Sequence, residues 1–176
     1  MSRAAKAGTR LGGHFDYAQP EAYEPDLREV SFALSNLSRF NGHVRFSVAQ
    51  HSVLLSRAVP HEFAFLALMR DAHKAYMGEI AGPLKAVLPD YRALERRVAN
   101  AIRRHFGVPE VMPDVVEQAN DAMTLTEAIR FGIPARDFPM NLKPLNVKID
   151  ALSADVAQRA FVQRYRELVA LQATAA

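Results

Sequence analysis

HEFAFLALMRDAHKAYM, residues 61–77, is apolar on most sides as far as Met69 and then meets Arg70, Asp71, His73 and Lys74 in quick succession. A helix that is apolar nearly all round belongs inside a core. The stretch therefore predicts a central helix over 61–76 whose chemistry sits at its polar end. Upstream, SVAQHSVLLSRAV (47–59) predicts a helix capped by Ser47 and stopped by Pro60. Before it, DLREVSFALSNLSRF (26–40) places apolar residues three and four apart until Asn41-Gly42 ends the pattern. Downstream, Gly78, Gly82, Pro83 and Pro89 leave room for one short turn at PLKAVL, followed by a long helix from Asp90 to Phe106 closed by Gly107. Pro113 opens a further helix that runs to Phe131, where Gly132 and Pro134 end it. FGIPARDFPMNLKPLNVKI (131–149) is a long irregular connection, and Ser153 or Asp155 starts the last helix.

No window alternates apolar and polar residues as a half-buried strand would. The expected fold is therefore all-α, a compact bundle of about six helices, with residues 1–25 as an irregular arm rich in Gly, Pro and aromatics. A chain of 176 residues with 49% hydrophobic content can bury one core, so a single domain over 1–176 is expected. The absence of cysteine excludes disulfides and thiolate zinc sites. MSRAAKAGTRLGGHF has no apolar run of signal-peptide length, and nothing approaches the roughly 20 apolar residues of a membrane span, so the expected location is cytoplasmic. Net charge is only +3, from 22 Lys and Arg against 19 acids, which does not favour nucleic acid as a partner. Arg92, Arg96, Arg97, Arg103 and Arg104 interleave with Leu94, Val98, Ala101 and Ile102, the pattern of a solvated amphipathic face. Nucleic-acid contact is the alternative reading of that run, to be tested by a salt-dependent shift with DNA.

SVAQHSVLLSRAVP (47–60) and EFAFLALMRDAHKAYMGEIAGPLKAVLPDYRALERRV (62–98) together resemble the HD-domain metal-dependent phosphohydrolases, above all the small deoxynucleotidase-like and prophage-encoded members. The resemblance extends back to LSNLSRFNGH (34–43) and on through IRRHFGVP (102–109), ANDAMTLTEA (119–128) and AFVQRYREL (160–168). It implies an HD-domain helical bundle, a nucleotide substrate and a homodimer. In the family a histidine, a His-Asp pair and a later aspartate hold a divalent metal. By position the first histidine is His51, the pair falls on Arg70 and Asp71, and the later aspartate falls on Asn120 with Asp121 beside it. The family's usual acid or base, a glutamate, corresponds to Lys74, and a following aspartate corresponds to Glu79.

These replacements change the chemistry. A guanidinium carries only donors and is always charged, so Arg70 cannot be a ligand, and Asn120 offers a neutral carbonyl in place of an anionic oxygen. His51 and Asp71 are the remnant of a metal site, for which His73 and Asp121 are candidate substitutes. With Arg70 and Lys74 four apart, the pocket is expected to be basic, and Arg39, Arg70 and Lys74, with Glu79 at hand, could cradle a phosphate. Arg70 has a second reading, as a structural ion pair with Asp71, Asp121 or Glu79. Lys74 alone reads as a solvated side chain, and His51 as a satisfied buried histidine. His14 and His43 lie near the expected cavity mouth with nothing beyond their type to argue for metal. The leading expectation is an impaired phosphohydrolase relative, without cofactor, that binds a nucleotide or another phosphate-bearing small molecule. The alternatives are an active enzyme using manganese, cobalt or zinc, and a module that binds a protein partner.

Overall fold

The computed structural model describes residues 5–136 and 138–175. Two strands, β1 (Lys6–Gly8) and β2 (His14–Asp16), are followed by α1 (Leu27–Asn36), α2 (Val48–Ala58), α3 (Ala64–Met69), α4 (Lys74–Met77), α5 (Gly82–Ala86), α6 (Pro89–His105), α7 (Asp114–Phe131) and α8 (Ala154–Ala175). The all-α class holds. No helix among the described residues is long and apolar enough to cross a membrane.

α2 is the hub, packing against α1, α3, α7 and α8. Its Val48, Ala49, Val53 and Leu55 meet Leu34 of α1, Leu68 and Met69 of α3, Met123 of α7 and Phe161 of α8 in one buried cluster. Each large apolar side chain there contributes roughly 1.5–3 kcal/mol by leaving water. The predicted ends at Ser47 and Gly132 form, and Asp26 adds a cap that the sequence reading does not assign. Ser47 accepts a hydrogen bond from the Gln50 amide at 3.2 Å, Asp26 caps α1 through the Arg28 amide, and Gly132 closes α7 in the left-handed conformation, φ 71°.

Three expectations need correction. Within the supposed irregular arm, β1 and β2 pair antiparallel with Ala7 opposite Phe15, and Pro20–Ala22 adds a turn of 3-10 helix. Three residues per strand are too few for alternation to show in a sequence. The first four residues of that arm lie outside the described ones. α1 stops at Asn36, not near Phe40, because Leu37 is extended and Ser38 bridges to Ser47. This bridge, with the Arg39 amide donating to the Phe46 carbonyl at 2.8 Å, fixes Arg39 next to the start of α2. Finally, 61–76 is not one continuous helix. α3 ends at Met69, and the next bonds, Ala72 to Met69 and Lys74 to Asp71, span three residues instead of four. The chain tightens into 3-10 geometry at the polar end, so Asp71 and Lys74, three apart, come onto one edge.

Candidate functional site

The tightened turn between α3 and α4 lies on the floor of a cleft of about 1400 Å³. Arg39 from the α1–α2 link, Glu79 from the loop after α4, α6, α7 and part of the 133–142 connection complete its lining. Gly78, with φ 78°, ends α4 and turns the chain so that Glu79 is buried against this floor.

Every cation the sequence assigns to the floor is held by carboxylates. Arg39, buried, donates from Nε to Glu127 Oε2 at 3.0 Å, from Nη1 to Glu79 Oε1 at 2.8 Å and from Nη2 to the Thr124 hydroxyl at 3.0 Å. Arg70 donates to Asp71 Oδ1 at 2.7 Å and makes a two-pronged contact with Glu117 at 3.2 and 2.7 Å. Lys74 Nζ lies 2.9 Å from Asp71 Oδ2 and 2.6 Å from Glu79 Oε2. Neither oxygen has an aligned hydrogen bond, so these two contacts are ionic in character. Three cations thus meet four carboxylates, and the floor is not the open basic pocket the sequence suggests. Lys74 is buried rather than solvated. Arg70 takes the structural ion pair with Asp71, and its second partner is Glu117, not Asp121 or Glu79.

The electrostatics follow from the pairing. Burial pushes the Asp71 carboxyl up, but Lys74 and Arg70 reverse this and hold it well below the usual range. Glu127 behaves alike: burial raises it, and His51 and Arg39 bring it below its ordinary value. Burial pushes the Arg70 and Arg39 guanidinium groups down, and the surrounding carboxylates more than restore them.

His51 is fully buried, as a satisfied histidine should be. Its Nδ1 lies 2.5 Å from Glu127 Oε1 and its Nε2 3.2 Å from Asn120 Oδ1, while Asp71 Oδ2 is 3.9 Å away. His73 does not join it. Its Nε2 sits 3.5 Å from Glu95, which Lys85 also contacts, and its Nδ1 is buried with no partner among the described residues. Burial pushes His73 below its ordinary value against the pull of Glu95. Glu95, raised by burial and lowered more by His73 and Lys85, is brought to about 2. Asp121 is exposed and, among the described residues, accepts only from Asn120 Nδ2 at 3.3 Å.

This donor set does not fit the divalent metal that the sequence resemblance implies. Both nitrogens of His51 face protein oxygens, and both oxygens of Asp71 are occupied by Arg70 and Lys74. Among the described residues no group of three or more His, Asp or Glu side chains is arranged to hold a metal ion. The ammonium of Lys74 sits between Glu79 and Asp71, against the Asp71 oxygen that a metal would need.

Sequence reasoning missed the carboxylates that organise the floor. Glu127 carried a readable signal, since it recurs at helical spacing with the apolar Val116 and Met123 along α7, on the same face as the site position Asn120. Glu117 and Glu95 gave no such signal. Sequence reasoning also merged the α6 arginines into one solvated face. Arg97 and Arg104 do not line the cleft and are paired, with Glu21 at 2.8 Å and with Glu110, which lies at its edge, at 2.9 Å. Arg92, Arg96 and Arg103 line the cleft instead, and none of the ion pairs among the described residues uses them. At about 100° per residue, 92, 96 and 103 fall within roughly 40° of one another around the helix.

No family model matches the chain. The protein YfdR of Escherichia coli (strain K12), which carries the description uncharacterized, is 36% identical to it over 170 residues, 93% of this chain and 96% of that protein. A Rhodobacter capsulatus protein with the same description is 28% identical over 129 residues, 66% of each chain.

Proposed function

We propose that this chain, which belongs to the same family as Escherichia coli YfdR, is an HD-type phosphohydrolase scaffold whose metal centre has become a network of internal ion pairs. In this reading its function is to bind a nucleotide or another phosphate-bearing small molecule in the adjoining cleft, not to hydrolyse it. Metal-assisted hydrolysis depends on lowering the pKa of a bound water to about 7. The remnant ligands that would hold such an ion are engaged within the protein, Asp71 by Arg70 and Lys74 and His51 by Glu127 and Asn120. As an ammonium between two carboxylates, Lys74 has donors only and no lone pair with which to act as a base.

The observation that carries the binding half of the proposal is the division of arginines on α6. Arg92 and Arg96 are exposed along the cleft with no carboxylate partner among the described residues, while Arg97 and Arg104 have one each. A phosphate accepting from a guanidinium gains roughly 1.5–3 kcal/mol per charge-assisted hydrogen bond. Arg39, Arg70 and Lys74 then support the floor and do not contact the phosphate directly.

Calorimetric titration of deoxynucleoside monophosphates and inorganic phosphate, with a chelator present throughout, tests this. Binding should persist in chelator and weaken by about tenfold or more in Arg92→Ala/Arg96→Ala, the loss of at least one charge-assisted contact. Absence of binding by every one of these anions would overturn the proposal.

A further inference from the structure

The chain's overall charge does not favour nucleic acid, but the total conceals how charge is divided on α6. Arg92 and Arg103 are eleven positions apart on the same side of the helix, about 16 Å of rise. Cations spread over that distance are poorly matched to a single phosphate group. They suit a ligand that carries negative charges in a line. The cleft is also larger than one small molecule needs, at about 1400 Å³ against roughly 300–1,000 Å³ for typical small-ligand pockets. Its lining carries Phe40, Ile80, Ile133, Phe138 and Leu142 from segments other than α6. These offer flat and apolar surface to whatever lies beside the arginines.

Arg103 adds an independent observation. It is half-buried in the cleft wall and donates to the Glu110 carbonyl at 2.9 Å and the Arg70 carbonyl at 3.4 Å, while its Nε is buried with no partner among the described residues. With its guanidinium held by backbone carbonyls and no carboxylate ion pair among the described residues, Arg103 extends the electropositive track at the end of a row of two exposed arginines. A positive track beside aromatic and apolar surface is the arrangement by which proteins take single-stranded nucleic acid, with arginines on the backbone and bases stacked against the side chains.

We infer that the ligand of this cleft is a short single strand of nucleic acid, its phosphodiester backbone following Arg92, Arg96 and Arg103 and its bases turned toward Phe40 and Phe138. The inference rests on the reading of the cleft as a phosphate-binding site and adds the class of ligand. An acidic peptide shares the charge but lacks the flat bases, and its binding is an outcome of the test.

The experiment is fluorescence anisotropy with a labelled oligothymidylate octamer, at several salt concentrations, beside calorimetry with thymidine monophosphate. Three backbone contacts predict a slope of log K against log salt near −2, from about −0.7 per contact on single strands. The octamer should bind at least tenfold more tightly than the monophosphate. Arg92→Ala/Arg96→Ala should flatten the slope by about 1.4, while Arg97→Ala, whose partner Glu21 lies outside the cleft, should leave both slope and affinity unchanged. If the monophosphate binds as tightly as the octamer, the inference fails and the phosphate-site reading stands. If neither binds, both fail. Equal loss in Arg97→Ala, or displacement of the octamer by polyglutamate at matched charge, would likewise overturn the nucleic-acid assignment.

Discussion

Two sets of cations share one cleft and are put to opposite uses. On the floor Arg39 and Lys74 are buried and Arg70 is half-buried, and each touches two carboxylates. Arg92 and Arg96 on the wall are exposed and have no ion-pair partner among the described residues. The floor set arises where the sequence resembles a metal site, yet it is the set with no charge to spare. Residue type at a motif position therefore says less about ligand binding than the partners the fold brings to it. A buried ion pair is weak evidence of net stabilisation, but removing one member strands a charge in a medium that solvates it poorly. The floor should consequently respond to mutation in stability, and the wall in binding.

The largest effect that can break this contrast is at Glu127. Glu127→Gln keeps the volume but leaves Arg39 and His51 facing a neutral amide, and it should cost about 3–5 kcal/mol in urea unfolding. A loss near zero would mean that the floor is not a coupled network. Lys74→Met strands Asp71 and Glu79 opposite each other, although Arg70 and Arg39 still serve them, and about 3 kcal/mol is expected from the same measurement.

The pH dependence sharpens the picture. Asp71, Glu127 and Glu95 all sit below their ordinary values in the folded protein. Their contribution is complete above the unfolded carboxylate values near pH 4 and is lost as pH falls through the folded ones. The urea midpoint should therefore hold near neutral pH and fall steeply below about pH 4, and Glu127→Gln should make that fall shallower. A midpoint that rises toward acid would contradict the charged network. At the small end, Arg97→Ala removes an exposed pair with Glu21 and should leave the thermal midpoint unchanged. Arg92→Ala/Arg96→Ala should also leave it unchanged while weakening ligand binding.

Much of the fold was legible in the sequence because helix ends are local chemistry. Ser47, Pro60, Pro113 and Gly132 marked boundaries that the structure keeps. What escaped depends on contacts far apart in the chain or too short to show a period. The hairpin of β1 and β2 is three residues per strand. The break after Met69 lies inside an unbroken apolar-to-polar pattern with no Gly or Pro to announce it. At the candidate site, the positions of His51, Asp71 and Arg70 were readable, but their partners Glu117 and Glu127 are 47 to 76 residues away. The α6 arginines were visible as a run, and only the packing of α6 beside the cleft separates Arg92 and Arg96 from Arg97 and Arg104.

The central claim is that Lys74 and Arg70 stand in place of a metal ion. It is tested most directly by metal content from mass spectrometry on protein purified without chelator, run alongside phosphate release from deoxynucleotides with manganese, cobalt or zinc added. The account predicts far less than one metal per chain and no phosphate release with any of the three. Near-stoichiometric metal accompanied by turnover would contradict it, because His51 and Asp71 would then have to leave the partners they hold here.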